Sequence, residues 1–194
     1  VYMANPLIAL VGRPNVGKST FFNKVAGRKI SITENRPGVT RDRLYADGEW
    51  RGKHFTMVDT GGIELKSDDV MWKEIAKQAD VAIDTADVIL FFTDGREGLT
   101  PSDYDVADIL RRSKKPVILV VNKIDEYSPD KILEFYSLGL GEPYPVSAEH
   151  SRGIGDVLDE AVSLIPQNTS EPASSLKIAV KGKPNAGKSS LVNK

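Results

Sequence analysis

The residues whose types and spacing most clearly suit chemistry are Gly12-Arg-Pro-Asn-Val-Gly-Lys-Ser19, which fit the pattern G-x-x-x-x-G-K-[ST]. The same pattern returns as Gly182-Lys-Pro-Asn-Ala-Gly-Lys-Ser189, and the likeness extends from Ala9–Lys24 to Ala179–Lys194 at a constant offset of 170 residues. Glycines at these positions let the backbone turn tightly, so that successive N–H groups and the start of the next helix converge on an anion. Phosphate is the expected guest. Asn15, Val16, Gly17, Lys18, Ser19 and Thr20 are read as the phosphate-binding loop, with Lys18 reaching the β and γ phosphates as a point charge. The Ser19 hydroxyl is placed to ligate a Mg²⁺ shared by those phosphates.

Further segments follow in the order a guanine-nucleotide switch requires. Asp59-Thr-Gly-Gly62 ends an apolar run, so the Asp59 carboxylate is expected to hold Mg²⁺ through water and the Gly62 amide to meet the γ phosphate. Asn122-Lys-Ile-Asp125 ends another run, at the carboxyl end of a strand where ligands sit in open α/β sheets. A carboxylate at Asp125 has the acceptors for the N1–H and exocyclic amino group of guanine, donors that adenine lacks in that arrangement. Asn122 is expected to brace neighbouring loops, and the stem of Lys123 to cover one face of the base. Ser147 and Ala148 are expected to offer backbone N–H groups to the guanine carbonyl. Thr40, in Arg36-Pro-Gly-Val-Thr-Arg-Asp42, lies in the long segment where a mobile switch belongs, its hydroxyl completing the Mg²⁺ shell when a γ phosphate is present. His54 and His150 show no carboxylate or metal partner in the sequence and are read as surface residues.

These groups need a scaffold. Apolar runs at Leu7–Val11, Phe55–Val58, Val88–Phe92, Val117–Val121 and Tyr144–Val146 alternate with amphipathic stretches, and several lack polar alternation, as strands covered on both faces do. Leu44–Trp50 is more polar and is expected to pair with His54–Val58 across a turn at Arg51-Gly52. Thr100-Pro-Ser-Asp103 and Ser128-Pro129 mark helix starts, and Ile154, Val157, Leu158, Ala161, Val162 and Ile165 share one helical face. The expectation is an α/β P-loop fold, a three-layer sandwich with a six-stranded, mostly parallel sheet and one antiparallel edge. Residues 4–166 form this domain, 167–176 a linker rich in proline and polar residues, and 177–194 the strand, loop and helix start of a second such domain. Eighteen residues cannot bury a core of their own, so the natural chain is expected to continue.

With 40% hydrophobic residues among 194, the chain has the material for one domain core. A formal charge of -1 and a pI near 6.2 give no general pull toward DNA or an anionic membrane, so any RNA contact must be local. No cysteine is present, which excludes disulfides and thiolate metal sites. Without an 18-residue apolar run or a signal-peptide layout, the expectation is a soluble, cytoplasmic protein with GTP and GDP as ligands and neither membrane nor DNA as partner.

The motifs PNVGKST, PGVTRD, DTGGI, NKID and SAEHSRG together resemble the TrmE-Era-EngA branch of translation-factor-class GTPases, and the tandem loops resemble the first G domain of the Der (EngA) type. The likeness covers Pro6–Pro166 and the opening of a second G domain. It implies GTP hydrolysis coupled to maturation of the large ribosomal subunit, with that subunit and its RNA as partners. Better-known switch GTPases place a glutamine after DxxG to orient water, and here that position is Ile63. The resemblance implies that Asn15 instead helps coordinate a K⁺ beside the phosphates, making Lys18, Asn15 and Thr40 the catalytic set. Asn185 repeats it in the second loop. The alternatives are a nucleotide-gated docking module with incidental hydrolysis, an Era- or TrmE-type GTPase acting on other RNA, and an ATP-using enzyme, the last disfavoured by NKID.

Overall fold

A computed structural model describes residues 5–27, 31–32, 44–61, 68–126 and 128–165. The elements are β1 (Leu7–Gly12), α1 (Lys18–Ala26), β2 (Ser31–Ile32), β3 (Leu44–Trp50), β4 (Lys53–Asp59), α2 (Asp68–Thr85) and β5 (Val88–Asp94). They continue with α3 (Pro101–Ser113), β6 (Val117–Asn122), the short α4 (Pro129–Leu133) running into a 3₁₀ turn at Glu134–Leu138, β7 (Pro143–Pro145) and α5 (Ile154–Leu164). The strands form one sheet in the order β2-β3-β4-β1-β5-β6-β7. The six expected strands are all present. A two-residue β2 adds to the antiparallel edge, too short for a hydrophobic period to signal it.

Continuous apolar runs are explained by the layering. Along β1, Ile8 and Leu10 face the layer holding Phe21, Phe22 and Val25 of α1 and Val157, Leu158 and Ala161 of α5. Ala9 and Val11 point the other way, to Ile75 and Ala79 of α2 and Val106 and Leu110 of α3. β5 and β6 split in the same manner, Leu90 and Val120 to one face, Phe91 and Val121 to the other. Each residue of these central strands therefore meets a core, which removes the polar alternation of a half-exposed strand. An edge-to-face contact between Phe21 and Phe92, with ring centroids 5.1 Å apart, fixes α1 against β5.

The turn between β3 and β4 falls at Arg51 and Gly52, both at positive φ (48° and 77°), the backbone of a tight hairpin whose last pair is Trp50 with Lys53. Trp50 Nε1 donates to Asp159 Oδ1 at 2.6 Å and Lys53 Nζ to the Val162 carbonyl at 2.8 Å, so the hairpin is clasped to α5.

β1 pairs in parallel with β4 on one side and with β5 on the other. The strand order reverses at β1, and the carboxyl ends of β1, β4, β5 and β6 open on one rim, the crevice where doubly wound sheets take their ligands. Gly12, Asp59, Asp94 and Asn122 end those strands. Among the described residues no helix is long and apolar enough to cross a membrane. The linker and the second loop, 167–194, lie outside the described residues.

Candidate functional site

The loop from Gly12 to Ser19 joins β1 to α1 with Asn15 at φ 64° and Gly17 at φ 92°. Lys18 is the first helical residue, and its side chain folds back so that Nζ donates to the carbonyls of Gly12 and Arg13, both at 2.7 Å. It is only 5% exposed. Burial lowers its pKa from 10.5 to about 8, against the pull of Asp59, while Arg13 adds a further push downward. A cation held in this way is poised to gain from an anion brought beside it.

Ser19 and Asp59 meet as the sequence requires. Ser19 Oγ donates to Asp59 Oδ2 at 2.6 Å, and Asp59 Oδ1 accepts from the Gly61 N–H at 3.0 Å. One hydroxyl and one carboxylate, facing each other at the ends of α1 and β4, make an all-oxygen donor pair that suits Mg²⁺. Val16 is buried, whereas Asn15 and Thr20 are exposed at the loop surface. Thr40, Gly62 and Ile63 lie outside the described residues.

Asn122 joins the loop after β1 to the loop after β7. Its Nδ2 donates to the Val16 carbonyl at 2.8 Å, and its Oδ1 accepts from the Ala148 N–H at 3.0 Å. A Cβ on Gly17 would stand 2.1 Å from that Nδ2, so only glycine lets the phosphate loop come this close. The Ser147 N–H donates to the Arg152 carbonyl at 3.1 Å. The backbone N–H groups of Ser147 and Ala148, expected to face a guanine carbonyl, are thus bonded inside the protein. The contribution of Ser147 visible here comes from its side chain, with Oγ donating to Asp125 Oδ1 at 2.8 Å.

Asp125 gathers partners that sequence reading missed. Arg96 donates through its guanidinium to Oδ2, and Arg152 donates to the Asp125 carbonyl at 2.7 Å. His150, read from sequence as isolated, places Nε2 3.7 Å from Asp125 Oδ1. Arg96 first and Ser147 second hold the Asp125 carboxyl below its usual pKa. Lys123 turns its ammonium to Asp94 Oδ2 at 2.5 Å. Burial alone would raise the Asp94 pKa, but Lys123 and the N–H groups of Glu97 and Arg96 hold it below the ordinary value. The loop after β5 and the first turn of α3 also touch the phosphate loop, since Arg13 forms an ion pair with Glu97 at 3.2 Å and its Nε donates to Asp103 Oδ1 at 3.1 Å. A cavity of about 660 Å³ opens between Gly95–Leu99 and Lys123–Glu126. The signal for these contacts was the charged DGREG run between β5 and the Thr100 cap, but nothing in its spacing tells that Arg96 reaches a residue 29 positions away.

The depressed Lys18 pKa sets a pH dependence for the nucleotide-free protein. Between about 8 and 10.5 the unfolded chain holds a proton that the folded chain has lost, so stability rises with pH through that window. Urea unfolding at pH 8 and pH 10 should show the parent gaining stability relative to Lys18→Met, which lacks the titrating group. Equal slopes in the two proteins would contradict the burial of a charge at this position.

The family model for 50S ribosome-binding GTPases matches residues 7–123. GTPase Der of Enterococcus faecalis is 59% identical over 194 residues, covering 98% of this chain and 44% of that protein. GTPase Der of Clostridium kluyveri is 56% identical over 195 residues, covering 99% of the chain and again 44% of the relative. The chain therefore spans less than half the length of these curated relatives. Among solved structures, Aquifex aeolicus Era bound to GDP·AlF4⁻ superposes with a TM-score of 0.67 at 29% identity, covering 93% of this chain and 63% of that one. Era in complex with MgGDPNP and nucleotides 1506–1542 of 16S ribosomal RNA gives 0.65 at 31% identity, covering 91% and 61%. With a family model that spans more than half of its length, the chain belongs to the family of 50S ribosome-binding GTPases.

Proposed function

We propose that this chain binds GTP and GDP with Mg²⁺, hydrolyses GTP, and serves as the first G domain of a cytoplasmic switch that acts in assembly of the large ribosomal subunit, with that subunit and its RNA as partners. Residues 177–194 are then the opening of a second G domain, in keeping with relatives more than twice as long as the chain. The observation that carries the nucleotide reading is the Asn122 bridge, which sets the Lys18 cradle and the Asp125 carboxylate side by side on one rim of the sheet.

Each residue has a task in this reading. The N–H groups of Asn15–Thr20 and the Lys18 ammonium take the phosphates, joined by the Gly62 amide. Ser19, Asp59 and Thr40 supply oxygens for Mg²⁺, a reading supported by the Era structures that hold MgGDPNP and GDP·AlF4⁻. Bound Mg²⁺ would neutralise charge on the β and γ phosphates. Asp125 reads the guanine edge, Lys123 lies over the base, and Ser147 and Ala148 hold the reader and its brace in place. Two charge-assisted hydrogen bonds at about 1.5–3 kcal/mol each would give roughly 10²- to 10⁴-fold discrimination against adenine.

Asp125→Asn replaces an acceptor by a donor, so guanine loses a partner while xanthine, with a carbonyl at that carbon, gains one. Competition binding should show the variant shifting toward XTP. An unchanged preference for GTP over XTP would refute the role given to Asp125.

For hydrolysis the reading assigns K⁺ to Asn15. Among the described residues the Asn15 side chain makes no hydrogen bond, and it stands exposed at the apex of the phosphate loop, which supports its availability to an ion. GTP turnover should rise at least about threefold when KCl replaces NaCl at equal ionic strength, and Asn15→Ala should remove most of that gain with GDP affinity nearly unchanged. Equal rates in the two salts would overturn the ion assignment.

A further inference from the structure

A carboxylate reads the edge of a planar base only if its own plane is fixed. Asp125 is 35% exposed at its side chain, on a loop where a single hydrogen bond to one oxygen would leave the group free to turn about its last torsion. The structure holds both oxygens. Ser147 Oγ donates to Oδ1 and the Arg96 guanidinium donates to Oδ2. A carboxylate has about four acceptor sites, two on each oxygen, so these two donors leave one site on each. Guanine presents two parallel donors, N1–H and the 2-amino group, which match one remaining site on each oxygen.

Arg96 is well anchored for this. Asp94 Oδ1 accepts from the backbone N–H groups of Arg96 and Glu97 at 2.9 and 3.1 Å, closing a tight turn. The Gly95 N–H donates to the Asn122 carbonyl at 2.7 Å, and a Cβ on Gly95 would come within 2.3 Å of the Ile124 side chain, so the turn lies flat against the NKID segment. Its far end is tied to the phosphate loop, where Arg13 bonds the buried Asp103 and pairs with Glu97. The backbone under Arg96 is therefore fixed to both halves of the site.

We propose that Arg96 is a positioning residue for guanine recognition: together with Ser147 it fixes the plane of the Asp125 carboxylate so that one acceptor on each oxygen meets the base. The inference rests on the reading of Asp125 as the guanine acceptor. Arg96 does not touch the nucleotide in this account. Its side chain is 58% exposed, and an ion pair of that kind contributes little to folding, so its removal leaves the fold intact. The charge alone is not sufficient, because a lysine presents a single mobile point where arginine offers a planar fork.

The test is binding of GDP, IDP and ADP to the purified chain, its Arg96→Ala variant and its Arg96→Lys variant, with thermal unfolding of each. Hypoxanthine keeps N1–H and lacks the 2-amino group, so the GDP:IDP affinity ratio reports the two-point contact itself. Arg96→Ala should lower GDP affinity about 3- to 10-fold and lower the GDP:IDP ratio, with the unfolding temperature nearly unchanged and the turnover number for GTP retained. Arg96→Lys should recover only part of the ratio. An Arg96→Ala variant with parental GDP affinity and ratio would overturn the proposal, as would one that binds GDP more tightly, which would make Arg96 a competitor of the base. A parent chain that failed to prefer GDP to ADP would overturn the reading of Asp125, and this inference with it.

Discussion

One side-chain amide, that of Asn122, holds the two halves of the site in register. Buried at the end of β6, it donates to the phosphate loop at Val16 and accepts from the base loop at Ala148, so a displacement of either loop breaks a hydrogen bond in a region closed to water. The close approach of Gly17 makes the bridge short enough to form. The neighbouring residues of the site flank this contact in the chain. Lys18 follows Gly17 in the chain, Lys123 and Asp125 follow Asn122, and Ser147 precedes Ala148.

The electrostatics on either side of the bridge are opposite in sign. On the phosphate side a nearly buried lysine is satisfied only by carbonyl dipoles and a nearby carboxylate, which leaves it below its ordinary pKa and able to gain from added negative charge. On the base side Lys123 and Arg96 hold the carboxyls of Asp94 and Asp125 below their ordinary pKa. An anion-seeking pocket and a donor-seeking pocket, joined by a buried amide, are the two ends that the proposed reading gives to the phosphates and the guanine edge of one nucleotide. The loop from Asp94 to Thr100 spans both, through the pairing of Glu97 with Arg13 toward the phosphates and through Arg96 toward the base.

The parts of this legible in the sequence were those written in local order. The G-x-x-x-x-G-K-S run, the DxxG aspartate and NKID each come at the end of a strand, and an apolar run of four or five residues is enough to place that strand's end on the rim of the sheet. The meeting of Ser19 with Asp59 followed from that placement. The bracing role of Asn122 was read as well, and its two partners emerge only with the fold. The two-residue β2 left no periodic trace. Arg96, Arg13 and His150 were not found because single charged residues carry no period, and their partners lie 25 to 90 residues away in the chain. The backbone N–H groups of Ser147 and Ala148 were assigned to the ligand, but folding uses both first, for the bridge and for the turn that returns through Arg152.

The central claim, that Asn122 couples phosphate and base recognition without touching the base, is tested most directly by titrating Asn122→Ala with GDP and IDP. Removing the amide strands the Val16 carbonyl and the Ala148 N–H, at about 1–3 kcal/mol for each buried group left unpaired. A folded variant is expected whose affinity drops about 100-fold or more for GDP and also falls for IDP, since both depend on the register between the two loops. A folded Asn122→Ala protein that binds GDP as the parent does would contradict it.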